Sequence, residues 1–177
     1  MKTILYNALL VSALSVAAFA ATKADQTATV AIGGKNITIK YSSPAVNGRT
    51  GKIFSKDGLI SKDDHYPVWR AGANGATALH TDATLMLGDL TLAPGDYTLF
   101  VNISNPAAWE LIVNKQTGQG GLDYDAKQDL GKVKMAVSKP PALVEQLSYT
   151  LASTGGNKGK LTLSWENVVA SVNFTTK

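Results

Sequence analysis

The stretch Ala83–Ile103, ATLMLGDLTLAPGDYTLFVNI, alternates apolar and polar residues and is cut by Pro94-Gly95. A period of two puts successive side chains on opposite faces of an extended chain, so this stretch fits a sheet with one buried face and cannot form an amphipathic helix. Tyr97, Leu99 and Val101 carry the alternation after the turn. The same signal recurs along the chain. TATVAIGGKNITIKY breaks at Gly33-Gly34 and predicts a β-hairpin. Strands are expected at Trp69-Arg70, ATALHT, AWELIVN, KVKMAV, LSYTLAST and through KGKLTLSWENVVASVNFTT, with turns at Gly155-Gly156-Asn157 and Glu166-Asn167. No segment holds a 3.6-residue period over three turns. About ten short strands at even spacing predict an all-β fold, an antiparallel β-sandwich with Greek-key or jelly-roll-like connections and little helix. The helix content is expected in one turn within YDAKQDLG and a short piece within PALVEQ. SSPAVNGRTGKIFSKDGLISKDDHYP, residues 42–67, is turn-rich and is expected to be mostly loop, with room for one short strand. Residues 22–26 read as a short polar leader.

The N-terminus has a different character. Lys2 precedes an apolar run, Ile4–Ala18, and Ala18-Phe19-Ala20 has the small-x-small pattern of a cleavage site. This predicts a signal peptide over residues 1–20, followed by a single domain over 21–177. The run is shorter than the ~20 residues of a membrane span. No second stretch could span, so no membrane span is expected after cleavage. The predicted location is outside the cytoplasm, either periplasmic or secreted. The chain has no cysteine, so its core must stabilise it without disulfides. The formal charge of +4 is spread over dispersed lysines, without the clustered patch that nucleic-acid binding needs.

Chemistry is sparse. Only two arginines occur, and one of them, Arg70, stands in VWRAGANGATALHT beside a tryptophan and ahead of a turn. Each tryptophan precedes a charge: Trp69-Arg70, Trp109-Glu110 and Trp165-Glu166. On strands this places the ring inward and the charge outward. A sharper expectation is that Arg70 pairs with Glu110 or Glu166 across a sheet, since a guanidinium fork holds a carboxylate through two parallel hydrogen bonds. Gly72, Asn74 and Gly75 tolerate positive φ, and the loop they form could present its backbone and the Asn74 amide to a ligand. Trp69, Arg70, Asn74 and His80 are therefore the candidate ligand-binding residues. No histidine or acidic spacing matches a metal site, so no metal or cofactor is expected. No nucleophile elbow or cysteine nucleophile is present. Gly48–Lys52 (GRTGK) lacks the first glycine and the final hydroxyl of a phosphate loop. Glu110 and Glu166, each beside a tryptophan, are the one pair that could serve glycoside hydrolysis.

VWRAGANGAT, LTLAPGDYTLFV, AWELIVNKQTGQGGLDYD and LTLSWENVVASV, in this order, resemble an exported bacterial family filed as domain of unknown function 2911. The resemblance runs from about Ile39 to Phe174. The family pattern is W-R-T-G-A-N-E-A-T; here Ala71 replaces its threonine and Gly75 its glutamate. The resemblance implies an exported β-rich domain with a shared feature at Trp69, Arg70, Gly72, Ala73 and Asn74. It implies no activity. The resulting expectation is a non-enzymatic binding or interaction module of the cell envelope, with a small molecule or an envelope protein as partner. The alternative is a hydrolase acting on a saccharide or envelope component.

Overall fold

The computed structural model describes residues 24–177. The predicted signal peptide lies outside the described residues. Thirteen strands form two antiparallel sheets that face each other as a sandwich. The first sheet runs β1 (Ala24–Ile32), β2 (Lys35–Ser43), β4 (Thr77–Thr81), β7 (Gly95–Asn102), β8 (Glu110–Asn114), β9 (Asp129–Lys134), with β3 (Val68–Trp69) also on β7. The second runs β11 (Val144–Gly155), β12 (Lys158–Glu166), β13 (Val168–Thr176), β5 (Leu85–Leu87), β6 (Leu90–Leu92), with β10 (Ala136–Ser138) on β13. The chain thus lays β1–β4 in the first sheet, lends the β5–β6 hairpin to the second, returns to the first for β7–β9, and completes the second last.

The alternation seen in the sequence decides the faces. Along β4, Thr77, Leu79 and Thr81 are buried while Ala78 and His80 are exposed. Ile37, Ile39, Leu79, Leu99, Leu111, Leu147, Leu161 and Leu163 meet between the sheets in one core. Gly33 and Gly34, at φ +59° and +76°, make the β1–β2 turn that the hairpin twist requires. β7 and β8 depart from simple alternation: Leu99–Val101 and Leu111–Val113 are buried without interruption. The reason is a second covering layer. The loop after β8 folds over the outer face of the first sheet, with Tyr124 on Phe100 at 4.8 Å and His65 on Tyr124 at 5.6 Å.

Three local expectations change. Residues 24–26 are not leader but the start of β1, paired with Tyr41–Ser43. PALVEQ is not helical: β11 begins at Val144, and the Val46 N–H donates to the Glu145 carbonyl at 2.8 Å. Tertiary pairing outweighs the weak local preference there. Residues 44–67 hold no strand, only a 3-10 turn at Ile60–Lys62, yet they are not a solvent loop. Val46, Ile53 and Ile60 are buried, and the segment closes one end of the sandwich.

Candidate functional site

The closed end is built around aromatic rings. Trp69 from the first sheet and Trp165 from the second stack at 5.8 Å and 18° across the core. Trp109, just before β8, meets Trp69 edge-on at 6.2 Å. Phe54, from the loop over 44–67, lies within 5.0–5.8 Å of all three. The tryptophans are each under 5% exposed, so none offers an open face on which a sugar could stack. Each such aromatic pair adds about 0.5–1.5 kcal/mol beyond area burial.

The loop after β3 is pinned from several sides. Ala71 and Asn74 have φ of +49° and +58°, conformations that cost L residues energy and persist only when neighbours hold them. The Ala71 carbonyl accepts from the Tyr149 hydroxyl at 3.0 Å and from Thr77 Oγ1 at 3.2 Å. Tyr149 is fully buried, which pushes its pKa up and keeps it a donor. The Ala73 N–H donates to the Ser42 carbonyl at 3.1 Å. A methyl group on Gly72 would sit 2.9 Å from Thr77 Oγ1, so glycine is needed there for room. The Gly121 N–H donates to the Asn74 carbonyl at 3.1 Å, which docks the loop after β8 onto this one.

Arg70 lies between these two loops. It is half-buried, and its Nε is wholly buried with no hydrogen-bond partner. Among the described residues its side chain makes no hydrogen bond and no ion pair, so neither expected partner holds it. Glu110 projects from the first residue of β8 and accepts from Asn102 Nδ2 at 3.1 Å. Glu166 is not outward-facing. A turn at φ +55° folds its carboxylate inward, where it accepts the Gly51 N–H. The two glutamates sit in different sheets and on different partners.

The anchoring role falls to the other arginine. Arg49 Nε donates to the Val46 carbonyl at 2.9 Å and one Nη to the Ala45 carbonyl at 2.7 Å. Both arginines then line one cavity of about 270 Å³, together with Lys62, Asp63, Leu59, Ile60 and Trp165. That is near the small end of ligand-binding cavities, which run from ~300 Å³ upward. Trp165 also has a buried donor, its indole Nε1, with no partner. A second cleft is lined by Arg70, Asn74 and Gly120–Asp123.

The four expected ligand residues are therefore only partly brought together. Trp69 and Arg70 share the 270 Å³ cavity, and Asn74 shares the neighbouring cleft with Arg70. His80 belongs to neither. It faces solvent near the far end of β4 and bonds Asp96 at 2.8 Å and Asp82 at 3.1 Å. These contacts raise its pKa, the Asp96 hydrogen bond contributing most. Arg49 and Phe54 were absent from the sequence-based site. The one available signal was the rarity of arginine, which applies to Arg49 as much as to Arg70.

No curated protein and no solved structure matches this chain. A family model described as "Protein of unknown function (DUF2911)" matches residues 23–174. That span covers both sheets, the tryptophan cluster and both arginines, and the chain belongs to the DUF2911 family.

Proposed function

We propose that this protein is an exported, non-enzymatic binding module whose ligand occupies the cavity beside the stacked tryptophans. The observation that carries this reading is the half-buried Arg70 guanidinium, left without any partner among the described residues. A partly desolvated guanidinium with no protein acceptor keeps its hydrogen-bonding capacity for a group from outside the fold. The rigidity of the surroundings supports the same reading, because a pinned loop and stacked rings keep a site in shape before the ligand arrives. A hydrolase of the glycosidase type would need two carboxylates facing one cavity, whereas Asp63 is the only carboxylate among the described residues lining this one. Export rests on the N-terminal pattern Lys2, Ile4–Ala18 and Ala18-Phe19-Ala20.

Thermal unfolding against sugars, short peptides, carboxylates, phosphates and divalent metals tests the reading. A ligand that binds only the folded state adds ~2.7 kcal/mol at a hundredfold excess over its Kd. Arg70→Gln should keep the unprotected melting temperature and lose that gain. A panel that shifts nothing, or a shift that survives Arg70→Gln, would remove the cavity from consideration. Intact mass of the exported protein should correspond to a chain starting at Ala21.

A further inference from the structure

We infer that the cavity takes a small organic monocarboxylate, with its carboxylate on the arginines and a compact apolar body against the aliphatic wall; this rests on the binding reading above. The lining is divided in chemistry. Arg49, Lys62 and Arg70 supply three cationic side chains against the single carboxylate of Asp63. The remaining wall includes Pro44, Leu59, Ile60, Leu122 and the edge of the tryptophan pair. Leu59 and Leu122 are 43% and 55% exposed, so apolar surface lies open in the same lining.

The donors are the kind a carboxylate uses. Arg49 commits its Nε and one Nη to backbone carbonyls, which fixes the plane of its guanidinium and leaves its other Nη without a protein acceptor among the described residues. The Arg70 side chain makes no hydrogen bond or ion pair among the described residues, and with its Nε buried it is the Nη groups that a ligand can reach. A guanidinium plane matches a carboxylate through two parallel hydrogen bonds. Trp165 lines the same cavity and is 3% exposed, its indole N–H buried and without a partner.

Charge does not separate a carboxylate from a phosphate, because the net positive lining attracts both. The apolar half of the wall does, since an inorganic phosphate has nothing apolar to offer it. A neutral ligand could accept a hydrogen bond from Arg70 but would leave its charge uncompensated.

The test is proton–nitrogen NMR of the protein, following the indole Nε1–H of Trp165 and the Nε–H of Arg70. The probes are formate, butyrate and benzoate, with benzamide as the neutral counterpart of benzoate and inorganic phosphate as the hydrophilic anion. Butyrate and benzoate should shift both signals saturably. Formate and benzamide should bind at least tenfold more weakly than benzoate, and Arg70→Gln should weaken benzoate at least tenfold. Arg70→Lys, which keeps the charge and loses the fork, should fall between. Benzamide binding as tightly as benzoate, or phosphate binding more tightly, would overturn the monocarboxylate assignment and leave a binding cavity in place. Silence of both signals toward every carboxylate overturns the assignment as well. If the wider thermal panel is also silent, the binding reading falls with it.

Discussion

Two basic side chains sit at opposite ends of neighbouring elements and live by opposite rules. His80, near the end of β4, stands in water between Asp82 and Asp96 and is fully partnered. Arg70, seven residues before Thr77 in the same loop-and-strand unit, is half-buried and partnered by nothing among the described residues. Exposed ion pairs contribute little, and water would solvate His80 without them. Arg70 is the one with a desolvated donor, its Nε, and no side-chain partner among the described residues. Completeness of internal pairing is thus a poor guide to function when read alone; the informative residue is the desolvated one left over.

The comparison can be broken or sharpened at four places. The largest effect should come from the frame that holds Arg70. Trp109→Ala removes a ring that touches both Trp69 and Phe54, and should cost ~3–5 kcal/mol in denaturant unfolding. A loss under ~1 kcal/mol would mean that the rings are not the support of this end. Next, Tyr149→Phe removes the hydroxyl that holds the Ala71 carbonyl, with an expected cost of ~0.5–1.5 kcal/mol. Because Thr77 still reaches that carbonyl, the loss should stay in that range; a much larger one would make Tyr149 the sole restraint on the strained Ala71.

The His80 end should show a small effect that depends on pH. Its folded-state pKa lies above the ordinary 6.5, so its contribution is full below that value and disappears as pH rises through the raised one. His80→Gln should therefore lower stability slightly at about pH 5 and not at about pH 9. An imidazole titration midpoint below 6.5 would show that the two aspartates do not hold the ring in solution. The smallest effect belongs to Arg70→Lys. With no internal partner to lose, melting should be unchanged within ~0.5 kcal/mol. A fall of ~1–3 kcal/mol would mean that Arg70 has a charge-assisted partner inside the fold.

Much of the sandwich was legible because alternation is a local signal. The Gly33-Gly34 hairpin, the β7 run and the closing strands all follow from patterns a few residues long. What was not legible depends on pairing at a distance. PALVEQ carries no mark that Ala45 and Val46, a hundred residues earlier in chain order, will claim it as strand. Phe54 sits among turn residues, and nothing nearby tells that it will be a wedge between three tryptophans. The site was half legible for the same reason. Trp69 and Arg70 are adjacent in sequence, so their shared cavity could be anticipated. Arg49 reaches it from a separate loop, and His80 fails to reach it because an extended chain advances ~3.3 Å per residue away from the turn.

The stacking of Trp69 on Trp165 has an optical consequence. Two indoles in near-parallel contact share their electronic excitations, and their coupled transitions give circular dichroism bands of opposite sign. In a protein of sheets, whose backbone bands are weak, this couplet will stand out and will distort any secondary-structure content read from the spectrum. It will also follow the separation and tilt of one ring pair that joins the two sheets, so its amplitude records whether the sandwich is closed at this end.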